Sequence, residues 1–256
     1  MKVFLVIDET NFYQPNFINQ LLQNREFEFV GCALVVSVPK KNNIERYLIQ
    51  NMKFLTFAEI LKLGFKKIKY WTYDKIGFRK KNGFFSVRKA LEFHNTPFFT
   101  VKGDINEKSY LDKIRKVLPD IILSSNSLYF KEEIINIPKF CINRHSSLLP
   151  SYGGLWPVFQ ALRNNEKFIG VSVHMMTKGI DEGRVLSQIK IEVLSTDTVD
   201  LLYQKCFNHS AEVCIRAMRG LCLNRYENIE KAPQSYFSFP LNKHWCEFRK
   251  KGKRFI

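Results

Sequence analysis

Short apolar segments alternate with helical patterns through the first half of the chain, and this alternation constrains the fold more than any other feature. The apolar runs have the length of buried strands and cover residues 2–7, 27–38, 97–101, 120–123 and 139–143. Strands that are apolar throughout are typical of parallel sheets whose two faces are both covered by helices. The sequence therefore predicts an α/β fold with a mainly parallel sheet and helices on both faces.

The pattern changes in the second half of the chain. Residues 168–176 and 185–193 read as two strands with no helix between them, and residues 197–221 have the periodicity of one long helix. Residues 222–256 are aromatic and basic. We expect a main domain over residues 1–221 and a small C-terminal segment over residues 222–256.

Composition narrows the class of protein. The 256 residues are 45% hydrophobic and carry a formal net charge of +16, which favours anionic partners such as phosphates, nucleic acid or lipid. The six cysteines include no CxxC pair, so no zinc site is expected, and a disulfide framework is not expected in a chain that is neither short nor signal-bearing. The sequence shows no signal peptide, and no run of about 18 apolar residues that would cross a membrane. We therefore expect a cytoplasmic protein.

An amide, an imidazole and a carboxylate stand on predicted loops or strand ends. Asn143 and His145 follow an apolar strand, and Asp181 lies in a glycine-punctuated loop between two strands. Open α/β sheets bind ligands at the carboxyl ends of their strands. These three groups can supply an oxyanion donor, a proton carrier and an orienting charge. Residue types alone leave the alternative of ordinary polar loop residues open.

The surrounding segment, residues 141–188, resembles the signature of the folate-dependent formyltransferases. These include glycinamide-ribonucleotide, methionyl-tRNA and nucleotide-sugar N-formyltransferases. The weaker similarity extends from about Ser86 to Leu221. The matching positions are Asn143, His145, Ser147, Leu148, Leu149, Pro150, Tyr152, Gly153, Gly154, Pro157, Gly170, Val171, His174, Asp181, Gly183 and Gln188. Two departures are Ser146, where Pro is frequent, and Gly153, where Arg is common.

The resemblance implies a Rossmann-like formyltransferase fold and transfer of a formyl group from 10-formyltetrahydrofolate to a primary amine, through a tetrahedral intermediate and without a metal. It implies that Asn143 donates to the formyl oxygen and that His145 manages the amine proton. Asp181 would hold His145 and position water or the amine. His174 is interpreted as a structural residue beside these three.

The family's folate pocket lies between the strand end that precedes these residues and the aspartate loop. By position, the resemblance implies a folate site formed by Ser125, Asn126, Ser127, Leu128, Tyr129, Thr177, Lys178, Gly179 and Ile180.

Among acceptors, the amino group of a nucleotide-linked amino sugar, as used in surface-glycan biosynthesis, ranks first. The glycine-rich phosphate loop of the glycinamide-ribonucleotide enzymes is absent after the first strand, and the large C-terminal domain of the methionyl-tRNA enzymes is not seen. Two basic runs, residues 79–81 and 249–254, would suit a diphosphate or RNA, although a solvated loop and tail is the favoured interpretation of them. Methionyl-tRNA, or another RNA-borne amine, is the second choice. A folate-binding protein without turnover is the third.

Residues 43–70 combine apolar and basic positions, with a predicted helix break at Gly64. Two interpretations remain open. The segment either lies on an anionic membrane or forms helices that cover the sheet and hold their lysines in water; the second is favoured. A homodimer is a further alternative that the sequence leaves open.

Overall fold

The computed structural model describes residues 1–37, 52–78, 83–230 and 232–256. The elements alternate from the N-terminus as the sequence pattern predicts. In chain order they are β1 (Lys2–Asp8), α1 (Gln14–Leu22), β2 (Glu28–Ser37), a 3-10 turn (Met52–Phe54), α2 (Phe57–Lys75), α3 (Val87–Phe93), β3 (Phe98–Lys102), α4 (Lys108–Lys116), β4 (Ile121–Ser125), α5 (Glu132–Ile135), β5 (Phe140–His145), β6 (Gly153–Gly154), α6 (Pro157–Arg163), β7 (Phe168–Met175), β8 (Val185–Glu192), α7 (Val199–Leu223), β9 (Tyr236–Phe237) and α8 (Asn242–Lys250).

Seven of these strands form one sheet in the order β3-β2-β1-β4-β5-β7-β8. Strands β1 to β5 pair in parallel, whereas β7 pairs antiparallel with both of its neighbours, β5 and β8. The predicted α/β fold with a mainly parallel sheet is thereby confirmed. The antiparallel pair is the region where the sequence lacks a helix between two strands.

Both faces of the sheet are covered, because alternate side chains of each strand point to opposite sides. In β1, Val3, Leu5 and Ile7 join a core formed with α1 and α7. Phe4 and Val6 join a second core on the other face, together with residues of α4. Strands buried on both faces explain why the sequence shows continuous apolar runs.

The C-terminal residues contribute to the first of these two cores. Trp245 and Phe248 of α8 are fully buried and pack on Phe159 of α6, with ring centroids 4.6 and 4.7 Å apart. Strand β9 pairs with β6, which lies beside the carboxyl edge of the sheet. The segment beyond residue 221 therefore shares the main core. The expected division at residue 221 stays a prediction.

The interpretation of α2 as a helix that covers the sheet with its apolar side was wrong. The helix continues through Gly64 without a break, and Glu59 is its buried residue, whereas Phe57 and Phe65 are exposed. The helix is attached through ion pairs, such as that between Lys66 and Asp200 at 2.6 Å, and through ring contacts, such as that between Tyr70 and Phe85. Residues 43–51 of the predicted segment lie outside the described part of the chain.

Candidate active site

Strand β5 places Asn143 and His145 on the same side of the sheet at its carboxyl edge. The two positions are two residues apart, so their side chains share a face, while Arg144 between them points the other way. Arg144 is buried, donates to Ser210 Oγ at 2.8 Å and lies over the ring of Phe207. The apolar strand and its buried arginine fix the direction in which Asn143 and His145 point.

Asp181 reaches the same place from the loop between β7 and β8. Its backbone has a φ of 57°, in the left-handed region that aspartate tolerates better than most residues. Gly183 lets the loop lie against β7, since a Cβ there would be 1.8 Å from the carbonyl oxygen of Met175. The amide of Gly154 donates to Asp181 Oδ2 at 2.8 Å. Together these contacts hold the carboxylate beside the end of β5.

The imidazole of His145 is oriented by two neighbours. Its Nε2–H donates to the carbonyl of Tyr152 at 3.1 Å, which leaves the lone pair on Nδ1. Nδ1 faces Asp181 Oδ2 at 3.6 Å. Burial lowers the pKa of His145 more than the carboxylate raises it, so the net shift is downward from 6.5. The ring is therefore neutral at pH 7 and has one nitrogen ready to accept a proton.

The carboxylate of Asp181 is kept ionised. Burial raises its pKa, but His145, His174 and the Gly154 amide together lower it by more, and the resulting pKa is about 2. Nε2 of His174 lies 3.3 Å from Asp181 Oδ1 and 3.3 Å from Asn143 Nδ2. His174 is buried and lies between the amide of Asn143 and the carboxylate of Asp181. A structural role for this residue stays a prediction.

Other residues of the 141–188 segment hold the loop that follows β5. The Ser172 hydroxyl donates to the carbonyl of Ser147 at 2.6 Å and accepts from the amide of Leu149 at 3.0 Å. Gln188 Nε2 donates to the carbonyl of Leu149 and to Ser172 Oγ. These buried bonds fix the path of the chain between His145 and Tyr152.

A cleft of about 250 Å³ opens where these groups meet. Asn143, His145 and Asp181 all line it. Of the nine residues expected to bind folate, seven line it as well, namely Asn126, Ser127, Leu128, Tyr129, Thr177, Gly179 and Ile180. The sequence thus predicts most of the surface of one cavity from two separate segments.

Ser125 and Lys178 of the expected folate set do not line the cleft. Ser125 ends β4, where its carbonyl and hydroxyl are held by the buried side chain of Gln14. Lys178 points into solvent and pairs with Glu132 at 2.7 Å. Counting along the sequence includes both, but the alternation of side chains in β4 and the turn of the loop direct them elsewhere.

Several lining residues were missed by sequence reasoning. Ser124, Phe130 and Met176 adjoin the two predicted segments and needed only wider bounds. Leu155 and Tyr236 come from β6–β9 pairing, which brings the C-terminal segment to the cleft. In the sequence, Tyr236 is marked by its place in the aromatic and basic segment of residues 222–256, which does not point to the cleft.

Comparison with known proteins identifies the family. The family model described as formyl transferase matches residues 1–218.

The chain belongs to the formyl transferase family.

Two curated relatives show different members of the family. The bifunctional polymyxin resistance protein ArnA of Wigglesworthia glossinidia brevipalpis is 36% identical over 69% of this chain and 27% of its own length. A methionyl-tRNA formyltransferase of Thermotoga maritima is 33% identical over 59% of this chain and 47% of its own length. The chain therefore spans about a quarter to a half of the relatives it matches.

Solved structures of formyltransferases share the fold. A glycinamide ribonucleotide transformylase of Symbiobacterium toebii has a TM-score of 0.61 at 15% identity, over 90% of this chain and 92% of that one. An N-formyltransferase of Helicobacter canadensis, in complex with folinic acid and dTDP-3-aminofucose, has a TM-score of 0.55 at 18% identity. That match covers 93% of this chain and 71% of the other. The triad of Asn143, His145 and Asp181 lies within the part that the formyl transferase family model matches, whereas Tyr236 lies beyond it.

Proposed function

We propose that this formyl transferase moves a formyl group from 10-formyltetrahydrofolate to the amino group of a nucleotide-linked amino sugar. The observation that supports this most is the meeting of Asn143, His145 and Asp181 in the lining of one cleft at the carboxyl edge of the sheet. Asn143 and His145 come from β5 and Asp181 from a distant loop, so their meeting depends on the fold.

Each side chain suits one part of the reaction. An amine must lose a proton as it attacks, and the neutral His145 has Nδ1 free to take that proton. The carboxylate of Asp181, 3.6 Å from Nδ1, stabilises the imidazolium that results. His145 can then return the proton to the folate nitrogen that leaves when its bond to the formyl carbon breaks. The amide of Asn143 donates to the formyl oxygen as it gains negative charge, which is where such donors contribute most.

The lining of the cleft suits the flat ring of a folate. Leu128, Phe130 and Ile180 supply apolar walls for a flat ring, and Asn126 and Thr177 add polar groups at its edge. When bound, 10-formyltetrahydrofolate supplies the formyl group. The residues of this chain bind its ring, orient it and limit the access of water. The Helicobacter relative with folinic acid bound supports a folate as donor.

The preference for a nucleotide sugar has two supports. The same Helicobacter structure holds dTDP-3-aminofucose. In addition, Glu9 after β1 accepts from the amides of Val87 and Arg88 at 2.8 and 3.0 Å, so the start of α3 already carries an anion of the chain itself. A glycinamide-ribonucleotide phosphate would therefore meet a carboxylate at that position.

Methionyl-tRNA is the second candidate acceptor. The relatives of that name and the net charge of +16 favour it. Phosphate contacts would make its binding fall steeply with salt.

A competition assay distinguishes the acceptors. The protein would be supplied with 10-formyltetrahydrofolate, a panel of nucleotide-linked amino sugars and methionyl-tRNA together, and each product weighed by mass spectrometry. The proposal expects one formyl mass on one sugar, absent in the His145→Ala variant. Formylation of methionyl-tRNA alone would replace the preferred acceptor, and no product from any amine would contradict the proposed reaction.

A further inference from the structure

Polar residues on the inner side of helix α2 help to attach it to the rest of the protein. The buried Glu59 pairs with Arg249 of α8 at 2.5 Å, and Lys66 pairs with Asp200 of α7 at 2.6 Å. Near the end of the helix, Asp74 accepts from the Ser86 hydroxyl at 2.7 Å. In a helix that covers a sheet, the apolar side would face inward. Here that side carries ion pairs and hydrogen bonds, together with Tyr70 and Tyr73, whose ring centroids lie 5.1 and 5.3 Å from that of Phe85.

The opposite side of α2 is a continuous apolar surface, which we call the outer stripe. Its residues follow the three- and four-residue spacing that keeps side chains on one helix face. They are large and exposed: Phe57 (75%), Leu61 (56%), Phe65 (70%), Ile68 (64%) and Trp71 (59%). Ile76 and Phe78, just after the helix, are exposed as well. Soluble surfaces rarely carry such a patch without a partner.

Lysines flank the outer stripe on both sides. With 100° between successive residues, Lys62 and Lys69 lie along one border and Lys67 along the other. Among the described residues, these three have no acidic side chain within ion-pair distance. The acidic groups of α2, Glu59 and Asp74, are both used on the inner side. The outer half of the described helix thus presents apolar groups, lysines and Thr72, and no acidic side chain.

We propose that the outer stripe is a docking surface for an anionic lipid bilayer. Helices that lie in the membrane interface combine an apolar face, often with Trp and Phe, and lysines at its borders whose long side chains reach the headgroups. Anionic lipids attract each such lysine. No helix within the described ranges is long and apolar enough to cross a membrane, so α2 would lie along the surface.

A second copy of the chain fits this surface less well. A symmetric contact through the outer stripe would bring the bordering lysines of both copies together. The chain carries +16 overall, which adds to the repulsion. An anionic bilayer covers the same apolar residues and attracts the same charges.

Vesicle co-sedimentation of the full chain tests the proposal. The vesicles are either an equimolar mixture of phosphatidylglycerol and phosphatidylcholine or phosphatidylcholine alone. The variant Leu61→Ser/Phe65→Ser removes part of the stripe. The matched control Leu194→Ser/Leu223→Ser changes two exposed apolar residues elsewhere at the same charge. We expect the stripe variant to bind the anionic vesicles roughly tenfold or more weakly, and the control to bind as the parent does.

Fluorescence reports the depth of insertion, because Trp71 lies exposed in the stripe, while Trp156 is half-buried and Trp245 is buried in the core. Anionic vesicles should shift the emission to the blue, and Trp71→Phe should remove this shift while most binding remains. Absence of binding would overturn the proposal, as would binding that is equally strong in the stripe variant. A dimer in lipid-free solution that the stripe variant dissociates would also overturn it, and would assign the stripe to contacts between copies.

Discussion

The candidate active site and helix α2 distribute polar and apolar groups in opposite ways. In the candidate active site, His145, His174 and Asp181 are buried, and their polar atoms face one another or backbone groups. In α2, the polar side chains of Glu59, Lys66 and Asp74 also face inward, but the apolar residues Phe57 and Phe65 are left in water. Inward polar groups therefore serve two purposes. They set protonation states in the first region and attach a helix in the second.

The same comparison separates what motifs and periodicity can predict. A motif fixes residues whose geometry is local, such as the two-residue spacing in β5 or the glycines around Asp181. A helical period predicts a helix but leaves open which of its faces is covered, because that depends on partners far along the chain. In α2 those partners are Asp200, Ser86 and Arg249.

The largest effect is expected from His145→Ala. Removing the proton acceptor should lower the rate of formyl transfer by roughly 10²–10⁴-fold. The measurement is single-turnover transfer to the acceptor found in the competition assay. His209→Ala, at an exposed position of α7, is the matched control and should retain the parent rate. A His145→Ala variant with normal turnover would remove the imidazole from the mechanism.

Asp181→Asn tests the coupling between the carboxylate and His145 in the candidate active site. Transfer should fall by about 10²-fold, because the imidazolium loses its counter-charge. In the parent, kcat/KM should fall as the pH drops through the lowered pKa of His145, hence below 6.5. The carboxylate raises the pKa of that ring, so its removal should move this acid limb to still lower pH. The exposed Asp112→Asn serves as control, and an unmoved limb would contradict the coupling.

The attachment of α2 is tested by Glu59→Gln. Burial raises the pKa of Glu59, but Arg249 and the amides of Thr56 and Phe255 lower it, and the net shift is downward. Such a group stabilises the fold above its ordinary pKa of 4.5, and the contribution is lost as the pH falls below it. The variant should lose about 1–3 kcal/mol of unfolding free energy at pH 7.

Denaturant unfolding at pH 7 and pH 4 measures this loss. The difference between parent and variant should shrink at the lower pH. Glu92→Gln, at an exposed position of the short helix α3, should leave stability unchanged. Equal stability of the Glu59→Gln variant at pH 7 would show that the ion pair does not attach the helix.

The smallest effect is expected from the outer stripe. Because Leu61 and Phe65 are exposed, Leu61→Ser/Phe65→Ser should change the unfolding free energy by less than about 0.5 kcal/mol. Denaturant midpoints check this value. A loss of several kcal/mol would mean that the two side chains are packed in the folded protein, and the contrast between the two regions would fail.

Much of the fold and of the candidate site follows from the sequence, for identifiable reasons. Continuous apolar runs predict the parallel strands, because both faces of the sheet are covered. The signature predicts where Asn143, His145 and Asp181 meet. Ser125 and Lys178 show its limit, since side-chain direction at a strand end or in a loop depends on contacts with Gln14 and Glu132.

Tyr236 shows a second limit. It reaches the cleft through the pairing of β6 with β9, which joins residues far apart in the chain. Gly154 permits this pairing, since a Cβ there would lie 2.2 Å from the carbonyl oxygen of Phe237. Its φ of 89° also requires glycine. The double glycine is visible in the sequence, but its partner strand is not.

The central claim is that this cleft transfers a formyl group, and following the formyl carbon tests it most directly. The protein would receive 10-formyltetrahydrofolate labelled with ¹³C in the formyl group, together with the acceptor panel. We predict that the label appears as a formamide on the acceptor amine with the parent protein, and that the His145→Ala variant leaves it on the folate. Label that stays on the folate with the parent protein and every acceptor, while folate binding is intact, would contradict the claim.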